Sequence, residues 1–328
     1  MKLSIAEKLR RFYDQFSGED RVLIIINADP DAIASAMAVK RLLWRKTACV
    51  AIASVNIIQR PDNIAMTELL DVTLMHVDTV KDGHYNRFVI VDSQPDHHPS
   101  FARFTPLHVA IDHHPLTDVK AAFIDIRPTY GATASIMTEY LRAAGIKPSS
   151  KLATGLYHAI KNDTGNFERP SLVEDIRAFQ FLHHHANIQL ARKIEHAEIL
   201  PEYLKYFVTA IQSRKIHGGR MYAHVGSVKN PDVCVLLADF FMRVHSITWS
   251  IVSGICTQKL VIVFRNDGLR KDAGKLAKKA FGSFGSAGGH KCMARAEIPL
   301  ANIEGVLDHK SDGQALNWMI ARIEGSRS

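Results

Sequence analysis

Short apolar, β-branched runs recur through the first 126 residues, and polar residues close each one. The first, "RVLIIINAD", is apolar on consecutive positions, which predicts a strand buried in a parallel sheet. "DAIASAMAVKRLLWR" follows with Ala, Met, Val and Leu at helical spacing. "ACVAIAS", "TELLDVTLMHV", "RFVIVDS", "PLHVAIDHH" and "AAFIDI" predict further strands. Strands alternating with helices indicate a mostly parallel sheet flanked by helices, an α/β class. "GATASIMTEYLRAAG" and "SKLATGLYHAIKNDTG" read as helices, the first closed by Gly145. The opening "MKLSIAEKLRRFYDQF" reads as an amphipathic helix.

From Val173 to Ser213 the pattern is helical and charged. A different pattern begins near Lys215. "KIHGGRMYAHV" predicts a hairpin on a Gly-Gly turn, and "ITWSIVSGICTQKLVIVFRND" two adjacent strands. "DAGKLAKKAFG" is a short helix, followed by the glycine-rich "GSFGSAGGHKCMARAEIPL". The expected organisation is a first domain over 1–190, a helical linker over 191–214 and a smaller α+β domain over 215–328.

Composition narrows the classes. No apolar run reaches the roughly eighteen residues of a membrane span, and the N-terminus lacks a signal peptide's apolar core. A cytoplasmic location is expected. Cys49, Cys234, Cys256 and Cys292 form no C-x-x-C pair, which argues for reduced, mostly buried thiols and against a zinc ribbon. A net charge of +8 favours anionic partners such as nucleotides, short oligonucleotides or polyphosphate. Oligomeric state stays open, a homodimer included.

The candidate chemistry sits where the apolar segments end, which is where open parallel sheets bind ligands. Asn27, Asp29 and Asp31 follow the first strand, and Asp92 follows "FVIV". Asp112, His113 and His114 follow "HVAI", and Asp163 ends a helix. Taken singly, Asp29 and Asp31 fit helix caps and Asp92 a turn. Together, carboxylates gathered on one rim repel unless a cation neutralises them. Carboxylate plus imidazole without thiolate suits Mn²⁺ or Mg²⁺. One carboxylate can bridge two such ions, which suits phosphoester hydrolysis.

The tetrapeptide Asp-His-His-Pro occurs twice, at 96–99 and at 112–115. The second copy follows directly from a strand and is the expected ligand set. The first lies behind Gln94-Pro95 and reads as loop.

In order, "NADPDAIASA", "VDS", "IDHH" and "DTGNF" resemble the four motifs of the DHH phosphoesterase superfamily, and "FGSAGGHKCMARA" resembles the motif of its DHH-associated C-terminal domain. The pattern is most similar to the nanoRNase/pAp phosphatase branch. The resemblance implies an active site in an interdomain cleft. It also implies a metal-dependent phosphoesterase that hydrolyses short oligonucleotides or 3′-phosphoadenosine 5′-phosphate. Alternative substrates are linear or cyclic dinucleotides such as pApA or c-di-AMP. It implies two divalent ions, Mn²⁺ foremost. Asp29 and Asp31 would hold them, Asp92 would bridge, and His113 and Asp163 would complete the second site. His114 would act near the substrate, with Asp112 orienting a histidine. Arg265, Gly288, Gly289, His290 and Lys291 would grip a non-scissile phosphate.

The chain departs from the family at Ile25, where many relatives carry a histidine, and at Ala34, where Gly is usual. Asn27 offers only a weak neutral ligand. The first ion site is therefore expected to be weak, and a nucleotide-sensing protein with one impaired site is a third reading. His97 or His98 of the first copy would be the substitutes for the missing imidazole.

Overall fold

The computed structural model describes residues 3–58, 60–168, 171–195, 199, 201–304 and 312–325. Two compact units divide between Glu198 and Ile199. Ala191 and Ile194 of the expected linker bury in the first unit, and Tyr206 and Ala210 in the second.

Six strands build the first unit's sheet: β1 (Arg21–Ile26), β2 (Cys49–Ser54), β3 (Met75–His76), β4 (Arg87–Val91), β5 (Val109–Asp112) and β6 (Phe123–Ile126). All pairings are parallel, in the order β3-β2-β1-β4-β5-β6. The chain reverses its direction of winding between β1 and β4. The rim beyond these two strands is the switch point at which such sheets take ligands.

The strand period of two divides the core. Val22, Ile24 and Ile26 face one side, with Val89, Val91, Val109 and Ile111. Helices α1 (Ile5–Tyr13), α2 (Pro30–Leu42), α3 (Pro61–Leu69), α4 (Thr133–Ala143), α5 (Ser150–Asp163), α6 (Val173–His183) and α7 (Ile188–Glu195) contribute their apolar residues to that side. Leu23, Ile25, Ile90 and Ala110 face the other side, against Val77, Val80, Phe101, Phe104 and Leu107. The stretch Thr67–Val77, expected as one strand, divides between the end of α3 and the two-residue β3. Pro61 starts α3 at its first position, and helix wins there because Met66 fills the core from its inner face.

The second unit holds α8 (Leu204–Ser213), β7 (Lys215–His217), β8 (Arg220–Ser227), α9 (Asp232–Phe241), β9 (Trp249–Cys256), β10 (Lys259–Asn266), α10 (Ala273–Phe281), β11 (Ser286–Gly289), β12 (Met293–Pro299) and α11 (Asp312–Glu324). The sheet is mixed, in the order β11-β12-β10-β9-β8-β7, with β8 and β9 parallel. The expected hairpin forms, with both turn glycines at positive φ (55° and 78°) as a tight strand turn demands.

Of the four free thiols only Cys234 is buried, which corrects the expectation of mostly buried cysteines. Cys49 is exposed because it opens β2 at the strand's outer end. No helix among the described residues is long and apolar enough to cross a membrane.

Candidate metal centre

β1 delivers its acids through a short loop that is held rigidly. Asn56 accepts from Ala28 N at 2.6 Å and donates to Ala28 O at 3.0 Å, which fixes the exit from the strand. Asp29 caps α2, its Oδ1 accepting from Ala32 N at 2.9 Å. The capping reading of Asp29 therefore holds for one of its oxygens. Asp31 lies in the first turn of α2, fully buried. Its oxygens accept from Thr133 N at 2.6 Å and Ala134 N at 2.7 Å, first-turn amides of α4 that have no partner within the helix.

Asp92 is the first residue after β4, with φ at 57°. A non-glycine residue in this left-handed region is strained, and surrounding contacts must hold it there. Its N–H donates to Ile111 O at 2.9 Å, and its Oδ1 accepts from Thr133 Oγ1 at 2.8 Å. Thr133 thus ties Asp31 to Asp92 with its amide and its hydroxyl.

His113 leaves β5 and turns its ring to these carboxylates. Its Nδ1 lies 3.2 Å from Tyr130 O, a pure acceptor, so in the neutral ring Nδ1 carries the proton and Nε2 presents a lone pair. Nε2 is buried and makes no hydrogen bond. It lies 3.1 Å from Asp163 Oδ2, 3.6 Å from Asp92 Oδ1 and 3.9 Å from Asp31 Oδ2. An orphaned buried imidazole nitrogen facing three carboxylates is a donor set that could hold a divalent cation. The ligand atoms of Asp31, His113 and Asp163 lie within 4.8 Å of one another, as do those of Asp92, His113 and His114.

The charges agree. Burial and the Asp163 carboxylate push Asp31 up to about 8, against the pull of His113. Burial and Asp163 raise Asp29 to about 6, and burial with Asp31, Asp29 and Asp163 raises Asp92 well above the carboxylate range. Burial would lower His113, but Asp163 and Asp31 outweigh it and lift the imidazole to about 9. In the protein alone protons hold this cluster together, and a cation bound there would take their place.

Asp112 stands behind the second histidine. It is fully buried, and its Oδ1 accepts from His113 N and His114 Nδ1, both at 2.8 Å. Burial would raise its pKa, yet His114 and Gln94 hold it below the usual range. Asp112 therefore fixes the orientation of the His114 ring. The first Asp-His-His-Pro copy follows β4, next to β5, and comes to the same rim. Gln94 joins the copies: its Nε2 donates to Asp112 Oδ2 at 2.6 Å and to Pro115 O at 3.0 Å. Its Oε1 accepts from Thr117 N at 2.8 Å, and Thr117 Oγ1 donates to Asp96 at 2.8 Å. The first copy is thus not a detached loop. His97 stands edge-on to His114, ring centroids 5.5 Å apart, whereas His98 turns away to accept from Ser100 N.

Residues 21–160 match the N-terminal domain of the DHH family. The first unit is a DHH domain. An uncharacterized protein of Methanocaldococcus jannaschii is 34% identical over 314 residues, 95% of this chain. The chain spans 64% of that relative's length. Among solved structures, an exopolyphosphatase-related protein from Bacteroides fragilis superposes with a TM-score of 0.71 at 14% identity, covering 95% of this chain and 97% of its own. Exonuclease RecJ bound to manganese superposes at 0.50 and 12% identity, covering 100% of this chain and 98% of its own. These likenesses show a shared fold.

Within the DHH domain, two positions singled out in the first motif lie outside the cluster. Ile25 is fully buried in the apolar cluster of Leu23, Ile90 and Phe101 on the sheet's far face. Asn27 is exposed at the strand end. Arg127 also stays outside, engaged by Asp125, Glu139 and Tyr130. Sequence reading missed Thr133 and Gln94. The only available signal was their place, at the start of a helix and two residues past Asp92.

The glycine-rich run of the second unit is a strand, not a phosphate-cradling loop. Gly288 and Gly289 pair with Arg295 and Ala294 of β12. A Cβ on Gly274 of α10 would stand 2.3 Å from Gly289 O, so the glycines serve a close approach of helix to strand. The first amides of α10 are already satisfied: Ala273 N by Lys291 O, Gly274 N by His290 O and Lys275 N by the Asp272 side chain. Arg265 is engaged by Asp239 at 2.7 Å. The His290 and Lys291 side chains are exposed.

Proposed function

We propose that this protein is a divalent-metal-dependent phosphoesterase that hydrolyses short nucleotide substrates. The observation that carries the reading is the orphaned Nε2 of His113 among Asp31, Asp92 and Asp163. A divalent ion there supplies Lewis acidity toward a phosphoryl oxygen and makes water a nucleophile at neutral pH. Thr133 holds the Asp31 and Asp92 carboxylates in register through its amide and hydroxyl. Asp112 fixes His114 with Nε2 free to meet the substrate. In the second unit, we assign His290 and Lys291 to a non-reacting phosphate.

Mn²⁺ is the preferred ion, on the donor set and on the manganese in the RecJ structure. Nanooligonucleotides and 3′-phosphoadenosine 5′-phosphate are the preferred substrates, with linear pApA next. The test is side-by-side turnover of a dinucleotide, 3′-phosphoadenosine 5′-phosphate and pApA by the Mn²⁺-loaded protein. A protein inert on all three defeats the reading.

Ile25 favours a second reading, a nucleotide-binding protein whose first ion site is lost. One Mn²⁺ per chain, with tight nucleotide binding and no turnover, would support it.

A further inference from the structure

Three imidazoles stand in a row at the rim. His113 is nearly buried, with 15% of its side chain exposed. His114 follows at 4.5 Å between ring centroids, with 44% exposed. His97 follows at 5.5 Å and is exposed. His113 and His114 belong to the DHH motif. His97 belongs to the first Asp-His-His-Pro copy and has no part in the chemistry described so far.

A ligand atom of His97 lies within 4.8 Å of ligand atoms of Asp112 and His114, a spacing that would also suit a cation. The hydrogen bonds argue against a cation. Asp112 is buried and accepts from three N–H groups: His113 N, His114 Nδ1 and Gln94 Nε2. His97 Nδ1 accepts from Gln94 N at 3.3 Å, with Ser93 Oγ at 3.2 Å. A backbone amide can only donate, so Nδ1 supplies the lone pair and the proton sits on Nε2. Nε2 is therefore a hydrogen-bond donor and has no lone pair for a metal.

An exposed N–H donor beside a metal-binding acidic centre has an evident use. The centre's own carboxylates repel an arriving phosphate, and only a cation and N–H donors offset them. We propose that His97 is a substrate-contacting residue, which donates from Nε2 to a non-bridging phosphoryl oxygen of the ligand at the DHH centre. The proposal rests on the phosphoesterase reading. Gln94 serves it by holding both copies in one frame: its amide N–H sets the His97 tautomer and its side chain holds Asp112.

The two ring nitrogens can be tested separately. Gln at position 97 can place an amide donor near the place of Nε2, whereas Asn, one carbon shorter, reaches only to the place of Nδ1. Binding of inorganic phosphate and of AMP to the Mn²⁺-loaded full chain is measured by calorimetry, with Mn²⁺ affinity measured alongside. His97→Ala should weaken phosphate about five- to tenfold, the scale of one lost hydrogen bond, and leave Mn²⁺ affinity unchanged. His97→Gln should recover most of that loss and His97→Asn little. Recovery by Asn instead of Gln, unchanged phosphate binding in His97→Ala, or weakened Mn²⁺ binding would each overturn the assignment. A wild-type protein that binds no phosphate at millimolar concentration overturns it as well. One that binds phosphate but turns over no ester overturns only the phosphoesterase reading.

Discussion

The sheet of the DHH domain carries two buried acidic centres with opposite solutions to the same problem. At β6, Asp125 accepts from the Arg127 guanidinium at 2.7 Å, from Lys8 and from Tyr140 Oη at 2.8 Å. Burial would raise it, but Arg127 and Lys8 hold it below the usual range. At the β1–β4 switch point, Asp29, Asp31, Asp92 and Asp163 gather with amides, a hydroxyl and one imidazole. There burial and repulsion from neighbouring carboxylates drive Asp29, Asp31 and Asp92 upward. The chain provides its own cations where the acid is structural. Where it provides none in sufficient charge, the imbalance marks a place for an ion from solution.

The largest effect that tests this contrast is on turnover. Asp92→Ala should lower phosphoester hydrolysis by about a thousandfold or more, since it removes several kcal/mol of transition-state stabilisation. The same change should leave the metal-free protein as stable as wild type or more so, because a repelling acid is gone. Asp125→Asn should do the reverse. It should cost about 1–3 kcal/mol in denaturant unfolding by taking from buried Arg127 one of its two carboxylate partners, Glu139 remaining, with Mn²⁺ affinity intact. Equal destabilisation by both changes would erase the distinction.

Acidity gives the next effect. Asp31 is raised in the folded chain from 3.8 to about 8, and His113 from 6.5 to about 9. A raised folded pKa stabilises at low pH and loses that contribution as pH climbs through the folded value. The metal-free melting temperature should fall between pH 6 and 9, and Mn²⁺ should restore more at pH 8.5 than at pH 6. A Mn²⁺ shift that shrinks with rising pH would contradict this. Smallest is His98→Ala, which removes a cap on Ser100 N and should cost about 1 kcal/mol or less without touching metal affinity.

Much of the acidic cluster was legible because Asp31, Asp92 and His113 follow apolar runs, and a parallel sheet brings those ends to one rim. Asp31, Asp92 and His113 meet there for that reason, and the end of α5 adds Asp163. The first Asp-His-His-Pro copy misled because its Gln-Pro start resembles any loop. Only strand order shows that β4 and β5 are neighbours and that their following segments must touch. The helix α9 went unread because "DVCVLLADFF" is apolar almost all round and offers no stripe. The glycine run misled in the other direction: its spacing suits an anion loop, and only the crossing of α10 explains it sterically.

Gln94 carries a last consequence. Its two amide ends are read separately, nitrogen by Asp112 and oxygen by Thr117. Glu would match its shape atom for atom, yet would set an anion against the buried Asp112. Position 94 is thus a place where one nitrogen, exchanged for oxygen, separates a joined pair of loops from a split one. A slow loss of ammonia from this side chain would leave its own shape intact and yet part the two loops.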